Sequence, residues 1–162
     1  MLMAEVKTPD QAAAAAVAPR EFLSTLVWIK ADGAATAGTQ SLIEILAPAG
    51  WATPWHVHHT HDEYFYILEG EIAARVGDTR VVLRPGDYAF GPRGVPHGYR
   101  VAGSGPARLL MMTGDRDFAE FVREISEPAA SDGLPSPSAP DLERVVSTAA
   151  RYGMEILGPT PD

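Results

Sequence analysis

The stretch from Gly50 to Gly70 constrains this chain most, because it concentrates histidine next to a carboxylate. It holds four of the five histidines in the sequence, followed by a run of aromatic and branched residues. The polar residues of the stretch are His56, His58, His59, His61 and Glu63. A polar surface loop is one interpretation of such a cluster. A metal site is the interpretation we favour, because imidazole and carboxylate groups ligate divalent metals.

Turn-forming residues divide the rest of the chain into short segments. The sequence has 15 Gly and 14 Pro, which favours a β-rich fold over a helical bundle. Segments of strand character alternate with these turns, as in an all-β sandwich or barrel. The predicted strands cover residues 22–30, 39–46, 55–58, 63–68, 71–76, 79–83, 88–91, 97–101 and 107–113.

Three regions are predicted along the chain. Residues 1–20 are expected to form a flexible arm, residues 21–114 a β-barrel, and residues 115–162 a helical extension. In the extension, apolar residues recur at helical spacing over 117–125, and Asp141 is a suitable N-cap for a second helix that ends at Gly153. These helices could cover an open face of the barrel, form a lid or make a dimer contact, and we favour the first.

Side chains alternate between the two faces of a strand, which indicates which of the polar residues lie on the same face. His56 and His58 lie two positions apart and therefore point to the same face. Glu63 shares its face with Phe65, and a carboxylate buried alone among apolar side chains costs several kcal/mol. A cation bound by the histidines would remove that cost, and His97, the fifth histidine, can complete the set.

The spacing of these residues resembles the two motifs of the cupin superfamily. The first motif corresponds to Gly50, five residues, His56-x-His58, four residues, Glu63, six residues and Gly70. The second corresponds to Gly86, five residues, Pro92-x-Gly94, two residues and His97. The chain departs from the pattern at Val101, where the family often has Asn. The resemblance covers about residues 39–113.

The resemblance implies an all-β cupin jelly-roll barrel, here followed by two C-terminal helices. It also implies that His56, His58, Glu63 and His97 hold one divalent transition metal ion. Three imidazoles and one carboxylate suit Fe, Ni, Mn, Cu, Co or Zn. His59 is expected to lie in water at the barrel mouth. His61 is expected either at the rim or beside the ligands, where it could transfer protons.

An apolar pocket for a small aromatic or enolic molecule is predicted beside the metal. Its predicted lining residues are Trp55, Phe65, Ile67, Phe90 and Met112, with Met111 as an alternative to Met112. The predicted catalytic residues are Glu63 as general base, His61 and Tyr99.

Small single-domain cupins of this pattern resemble the quercetinase-like dioxygenases, which implies an oxidoreductase acting on a flavonol-like substrate and O₂. One alternative is metal-assisted isomerase, lyase or decarboxylase chemistry without O₂. Another is a module that binds a small molecule without turnover.

Charge and composition limit the partners. The net charge of −8, without a basic run, argues against a nucleic-acid partner. No apolar run approaches the length needed to cross a bilayer, and acidic residues precede the alanine run at 12–16, unlike a signal peptide. We therefore expect a cytoplasmic protein.

We also expect a homodimer, because exposed sheet edges and the apolar C-terminal tail are shielded from water when two copies associate. The chain contains no cysteine, which excludes disulfides and thiolate ligands.

Overall fold

The computed structural model describes residues 17–161, which contain twelve strands and two helices. The strands are β1 Arg20–Phe22, β2 Thr25–Ala31, β3 Ser41–Ala47, β4 Pro54–His58, β5 Glu63–Glu69, β6 Glu71–Val76, β7 Thr79–Leu83, β8 Tyr88–Gly91, β9 His97–Ala102, β10 Ala107–Thr113, β11 Glu127–Pro128 and β12 Met154–Pro159. The helices are α1 Asp117–Ile125 and α2 Leu142–Arg151.

Two antiparallel sheets face each other. One has seven strands in the order β11-β1-β2-β3-β10-β5-β8, and the other has five in the order β12-β4-β9-β6-β7. Along the strands, buried apolar residues that face inward alternate with residues that face solvent, so a single core forms between the sheets. The predicted all-β jelly-roll barrel with two C-terminal helices is confirmed.

Both helices pack their apolar sides onto the barrel. In α1 the residues Phe118, Phe121 and Val122 are buried, and in α2 Val145 and Ala149 are buried. The Asp141 side chain accepts a hydrogen bond from the backbone N–H of Arg144, which makes it the predicted N-cap of α2. The helices therefore cover the barrel, as favoured from the sequence.

A hairpin replaces the single strand predicted over residues 22–30. The chain reverses at Leu23 and Ser24, whose φ angles are 49° and 65°, between β1 and β2. Residues other than Gly, Asn and Asp seldom adopt this left-handed conformation, so Leu23 and Ser24 do not indicate a turn. A hydrogen bond from the Trp51 indole N–H to the Leu23 carbonyl, 2.7 Å, holds the turn.

The predicted arm of residues 1–20 meets the first strand at its last residue. Strand β1 begins at Arg20, whose guanidinium donates to the Ser126 hydroxyl at 2.6 Å and to the Ser126 carbonyl at 2.7 Å. Residues 1–16 of the predicted arm lie outside the described residues.

The C-terminal tail contains a strand that was not predicted. Strand β12 pairs with β4 over Met154–His58, Glu155–Val57 and Ile156–His56, at the edge of the five-stranded sheet. It thereby covers the strand that carries two of the predicted ligands. Among residues 17–161, neither helix has the length and apolar character needed to cross a membrane. The cytoplasmic location stays a prediction.

Candidate metal centre

The four predicted ligands converge between the sheets. His56 and His58 come from β4 and His97 from β9, both in the five-stranded sheet, whereas Glu63 begins β5 in the seven-stranded sheet. His56 lies directly opposite His97 in the register. All four side chains are buried, and one ligand atom from each lies within 4.8 Å of the others.

Short distances join the ligand atoms. His97 Nε2 lies 2.9 Å from Glu63 Oε2, and His58 Nε2 lies 3.6 Å from the same oxygen. The Nε2 atoms of His56 and His58 are 3.1 Å apart. One carboxylate oxygen and three imidazole nitrogens therefore face a common point.

Backbone carbonyls orient two of the imidazoles. His56 Nδ1–H donates to the Pro54 carbonyl and His97 Nδ1–H donates to the Val95 carbonyl, each at 2.8 Å. With the proton on Nδ1, the lone pair of a neutral imidazole lies on Nε2, the atom that faces the centre. Such outer partners fix the ring orientation that a metal ligand needs.

The pKa shifts reflect burial and mutual charge. Burial is the main cause that lowers the pKa of His56, to about 4, so this imidazole is neutral near pH 7. Burial opposes ionisation of both Glu63 and His97, but their attraction outweighs it. The charge and hydrogen bond of His58, with the hydrogen bond of His97, hold the pKa of Glu63 well below its usual range, and Glu63 raises the pKa of His97.

These features fit a divalent metal ion. Glu63 is fully buried, and its Oε1 has no hydrogen-bond partner among the described residues. A buried carboxylate facing nitrogen lone pairs is stabilised by a cation, and three imidazoles with one carboxylate suit a first-row transition metal. His56, His58, Glu63 and His97 are the residues that would hold it.

The two remaining histidines occupy different environments. His59 is exposed, and its Nε2 lies 3.0 Å from Glu155 Oε2, which places it at the surface as expected. His61 is 1% exposed and is therefore not a rim residue. Its ring packs on His58 with centroids 4.4 Å apart, and its Nδ1 lies 2.6 Å from Asp115 Oδ2.

Asp115 is a site residue that the sequence did not reveal. One of its oxygens contacts His61, while the other accepts from the backbone N–H of Asp117 at the start of α1. Burial opposes ionisation of Asp115, but the hydrogen bond and charge of His61 lower its pKa. No spacing motif links residues 61 and 115, so only the fold could bring them together.

Replacement of Asp115 by Asn is expected to weaken metal binding about tenfold, because a neutral amide holds His61, and through it the His58 ring, less firmly. A competition titration with a chromogenic chelator would measure the dissociation constant. Asp32→Asn is the matched control, since Asp32 also anchors α1, through Arg123 at 2.7 Å. Equal weakening in both variants would contradict a specific role of Asp115.

A small apolar cavity adjoins the centre. Its volume is about 50 Å³, and both His56 and Glu63 line it. Aromatic and aliphatic side chains form the other walls, chiefly Tyr99, Phe118, Phe121, Met111 and Met154. The helical extension supplies part of this wall, which motif spacing could not indicate.

The Tyr99 hydroxyl is buried without a hydrogen-bond partner among the described residues. Its ring packs edge-on against Phe65 at 5.4 Å. Burial, followed by the negative charge of Glu63, raises the pKa of Tyr99. The phenol therefore stays protonated near neutral pH and acts as a donor, not as a base.

The predicted pocket residues lie in three places. Phe65 and Ile67 face inward, as expected, but they belong to the core and do not line the cavity. Trp55 lies on the other face of β4, where the Arg75 guanidinium sits 5.5 Å from its ring. Phe90 and Met112 are 40% and 38% exposed and do not line the cavity. The alternative Met111 does line the cavity.

Residues 42–113 match the family model described as "Cupin domain". The chain contains a cupin domain. This matched segment includes both motifs and all four predicted ligands.

Three similarities place this cupin among characterised and solved proteins. The chain is 31% identical to quercetin 2,3-dioxygenase of Bacillus subtilis over 100 residues, covering 62% of this chain and 29% of that protein. It is 37% identical to the tetracenomycin polyketide synthase protein TcmJ of Streptomyces glaucescens over 76 residues, covering 47% of this chain and 50% of that protein. A predicted oxalate decarboxylase of Thermotoga maritima superposes with a TM-score of 0.57 at 19% identity, covering 63% of this chain and 96% of that one.

The extent of these matches limits what they establish. The alignments span less than two thirds of both curated relatives. At 19% identity, the decarboxylase similarity concerns the fold alone. Residues 42–113 thus form a cupin domain, with four buried His and Glu side chains that would hold a metal ion.

Proposed function

We propose that this cupin is a metal-dependent dioxygenase that acts on a small enolic or aromatic, flavonol-like substrate. The observation that carries the proposal is the buried centre of three imidazoles and one carboxylate beside an apolar cavity. Four protein ligands leave positions open on a six-coordinate ion, unlike a closed structural zinc site. When bound, the metal supplies Lewis-acid activation of the substrate oxygen and access to O₂ chemistry.

Glu63 is the proposed general base. Its Oε2 faces the imidazoles, while its Oε1 is buried without a partner among the described residues and the side chain borders the cavity. A substrate hydroxyl in the cavity can therefore give its proton to Oε1. Removal of that proton makes an enol or phenol electron-rich enough to react with O₂.

Tyr99 is the proposed hydrogen-bond donor to the substrate. Its hydroxyl lacks a partner in the described part of the chain, and its ring lines the cavity. A substrate oxygen can accept a hydrogen bond from this hydroxyl. The bond removes the cost of a buried donor without a partner. The apolar walls exclude water, which strengthens this contact.

The curated relatives support the substrate class. One is named quercetin 2,3-dioxygenase, and the other a tetracenomycin polyketide synthase protein. Quercetin is a flavonol, and the apolar, aromatic wall of the cavity suits the reactive edge of such a molecule.

Non-oxidative chemistry is the second candidate. A protonated Tyr99 beside an ionised Glu63 is an acid–base pair, which can move a proton within a substrate without O₂. An isomerase, lyase or decarboxylase would use the same residues. A binding module without turnover is the third candidate.

Oxygen consumption separates these candidates. Protein loaded separately with each of Fe, Ni, Mn, Cu, Co and Zn is mixed with quercetin in an oxygen electrode, and the mixture is repeated under strict anaerobiosis. We expect O₂ uptake with at least one metal and no product without O₂. Anaerobic product formation would favour the second candidate, and binding without any product would favour the third.

A homodimer is proposed on a separate surface, the tyrosine face. It consists of Tyr64, Tyr66, Tyr88, Phe90 and Met112 on the outside of β5, β8 and β10, each 38–68% exposed. Tyr64 pairs across strands with Phe90, and Tyr66 with Tyr88. Strand β8 lies at the edge of its sheet. An uncharged aromatic patch at a sheet edge is typical of an interface, and a second copy presents the same patch in a two-fold arrangement.

Tyr88→Lys is expected to convert a dimer into a monomer, because it places a charge in the centre of an aromatic contact. Sedimentation velocity would report the change from twice the chain mass of 17.3 kDa to that mass. Val82→Lys is the control, since Val82 is also an exposed apolar residue but lies on β7 of the other sheet. A monomeric parent protein, or a dimer unaffected by Tyr88→Lys, would contradict the proposal.

A further inference from the structure

The cavity beside the metal centre is too small for the substrate class proposed above. Its volume of about 50 Å³ accommodates one or two water-sized groups. A molecule with several fused rings occupies a pocket of roughly 300 Å³ or more. Most of such a substrate must therefore be bound elsewhere.

A much larger groove lies directly outside this cavity. It measures about 880 Å³ and runs between the Leu23–Ser24 turn, residues 48–54, helix α2 and strand β12. The groove and the cavity share Leu23, Trp51, Val145 and Ile156 as a common wall. The groove is therefore separated from the cavity by a single layer of side chains.

The groove also explains a set of exposed apolar residues. Leu142, Val146 and Leu157 are 64%, 46% and 45% exposed, and all three line the groove. None of them contributes to the core of the barrel. Their exposure is costly in water and is relieved when an apolar ligand covers them.

We infer that this outer groove binds the ring system of a polycyclic aromatic substrate, whose reactive hydroxyl edge extends through the Leu23–Trp51 wall toward Glu63. The inference rests on the proposed function for the substrate class. The position of the groove directly outside the metal cavity and its volume favour this occupant over a second copy of the chain or the chain's own residues 1–16.

The Leu23–Ser24 turn is the part of the wall that can open. Its two positive φ angles are unfavourable for these residues. On one side, Trp51 holds the turn through its hydrogen bond to the Leu23 carbonyl. On the other side, the Ser138 N–H donates to the Ser24 hydroxyl at 3.1 Å. Opening of the wall breaks these hydrogen bonds, the bond from the Ser24 hydroxyl to the Ser138 carbonyl, and the packing of Leu23 on the core.

Anaerobic binding of quercetin tests the inference independently of turnover. The full-length, metal-loaded protein is titrated without O₂, and the dissociation constant is read from the quercetin absorbance. Val146→Glu and Leu157→Glu place a charge in the groove, and each is expected to raise the dissociation constant at least tenfold. Val82→Glu, at an equally exposed valine outside the groove, is expected to leave it unchanged. Unchanged thermal melting of all three variants would confirm that they fold.

Other outcomes would overturn the inference. These are unchanged affinity in both groove variants, equal loss in the Val82→Glu control, or absence of quercetin binding to the parent protein. Methyl NMR signals of Val146 and Leu157 should move with quercetin. If these methyl signals move on protein dilution instead, a second copy of the chain occupies the groove. If the methyl groups show contacts with residues 1–16, the chain itself occupies it. If quercetin binds anaerobically but no O₂ is consumed when O₂ is supplied, the proposed dioxygenase is contradicted and the groove stays supported.

Discussion

Replacement of His58 by alanine is expected to reduce bound metal from a stoichiometric amount to near zero. His58 is completely buried, and its Nε2 lies 3.1 Å from His56 Nε2 and 3.6 Å from Glu63 Oε2. Loss of one of four ligands removes a large part of the binding free energy. The metal content of untagged protein, measured by elemental analysis after dialysis, would report the result.

His59→Ala is the matched control for this experiment. His59 is the neighbouring residue, but its side chain is exposed and its ring Nε2 lies 3.0 Å from Glu155 Oε2, away from the four ligands. We expect this variant to retain full metal. Full metal in His58→Ala would refute the ligand set, and equal loss in both variants would indicate adventitious binding by a histidine-rich surface.

Replacement of Glu63 by glutamine is expected to lower the rate of O₂ uptake about 10²- to 10⁴-fold, the usual contribution of a general base. The amide keeps the shape of the side chain and one oxygen ligand, but it cannot accept the substrate proton. Oxygen-electrode rates should be normalised to the metal actually bound, so that weaker metal binding is separated from loss of the base.

Glu155→Gln provides the control, because Glu155 is a carboxylate at the surface with His59 as its partner. Its rate should match that of the parent protein. A normalised rate in Glu63→Gln within about threefold of the parent would exclude Glu63 as the base, since a base contributes far more than this.

The metal ligands could be predicted from the sequence because their positions follow local rules. Alternation along β4 places His56 and His58 on one face, and motif spacing adds Glu63 and His97. The structure brings these four residues together. Their assignment as ligands and the role given to Glu63 are proposals that the variants above test. The roles given to His61 and Tyr99 stay predictions.

Other features depend on packing that a strand pattern does not contain. Phe90 and Met112 have strand character, but alternation alone does not say which face of a strand is inside. The contact between His61 and Asp115 joins positions far apart in sequence. The turn at Leu23 and Ser24 lacks the residues that mark a hairpin, so tertiary contacts with Trp51 and Ser138 stabilise it instead.

Strand β12 could have been found from its pattern. Residues 154–157 alternate between inward and outward positions, with Met154 and Ile156 toward the barrel and Glu155 and Leu157 toward solvent. This period of two is the signal of a half-buried strand. Its partner β4 could not be inferred, because strand pairing over almost a hundred residues is set by the whole fold.

The most direct test of the proposed dioxygenase is turnover of quercetin under ¹⁸O₂, followed by mass spectrometry of the product. We predict that both oxygen atoms of one O₂ molecule enter the organic product, which raises its mass by about 4 Da, and that Glu63→Gln protein gives only traces of it. A product without label, or the same product formed without O₂, would contradict the dioxygenase and favour metal-assisted chemistry without oxygen.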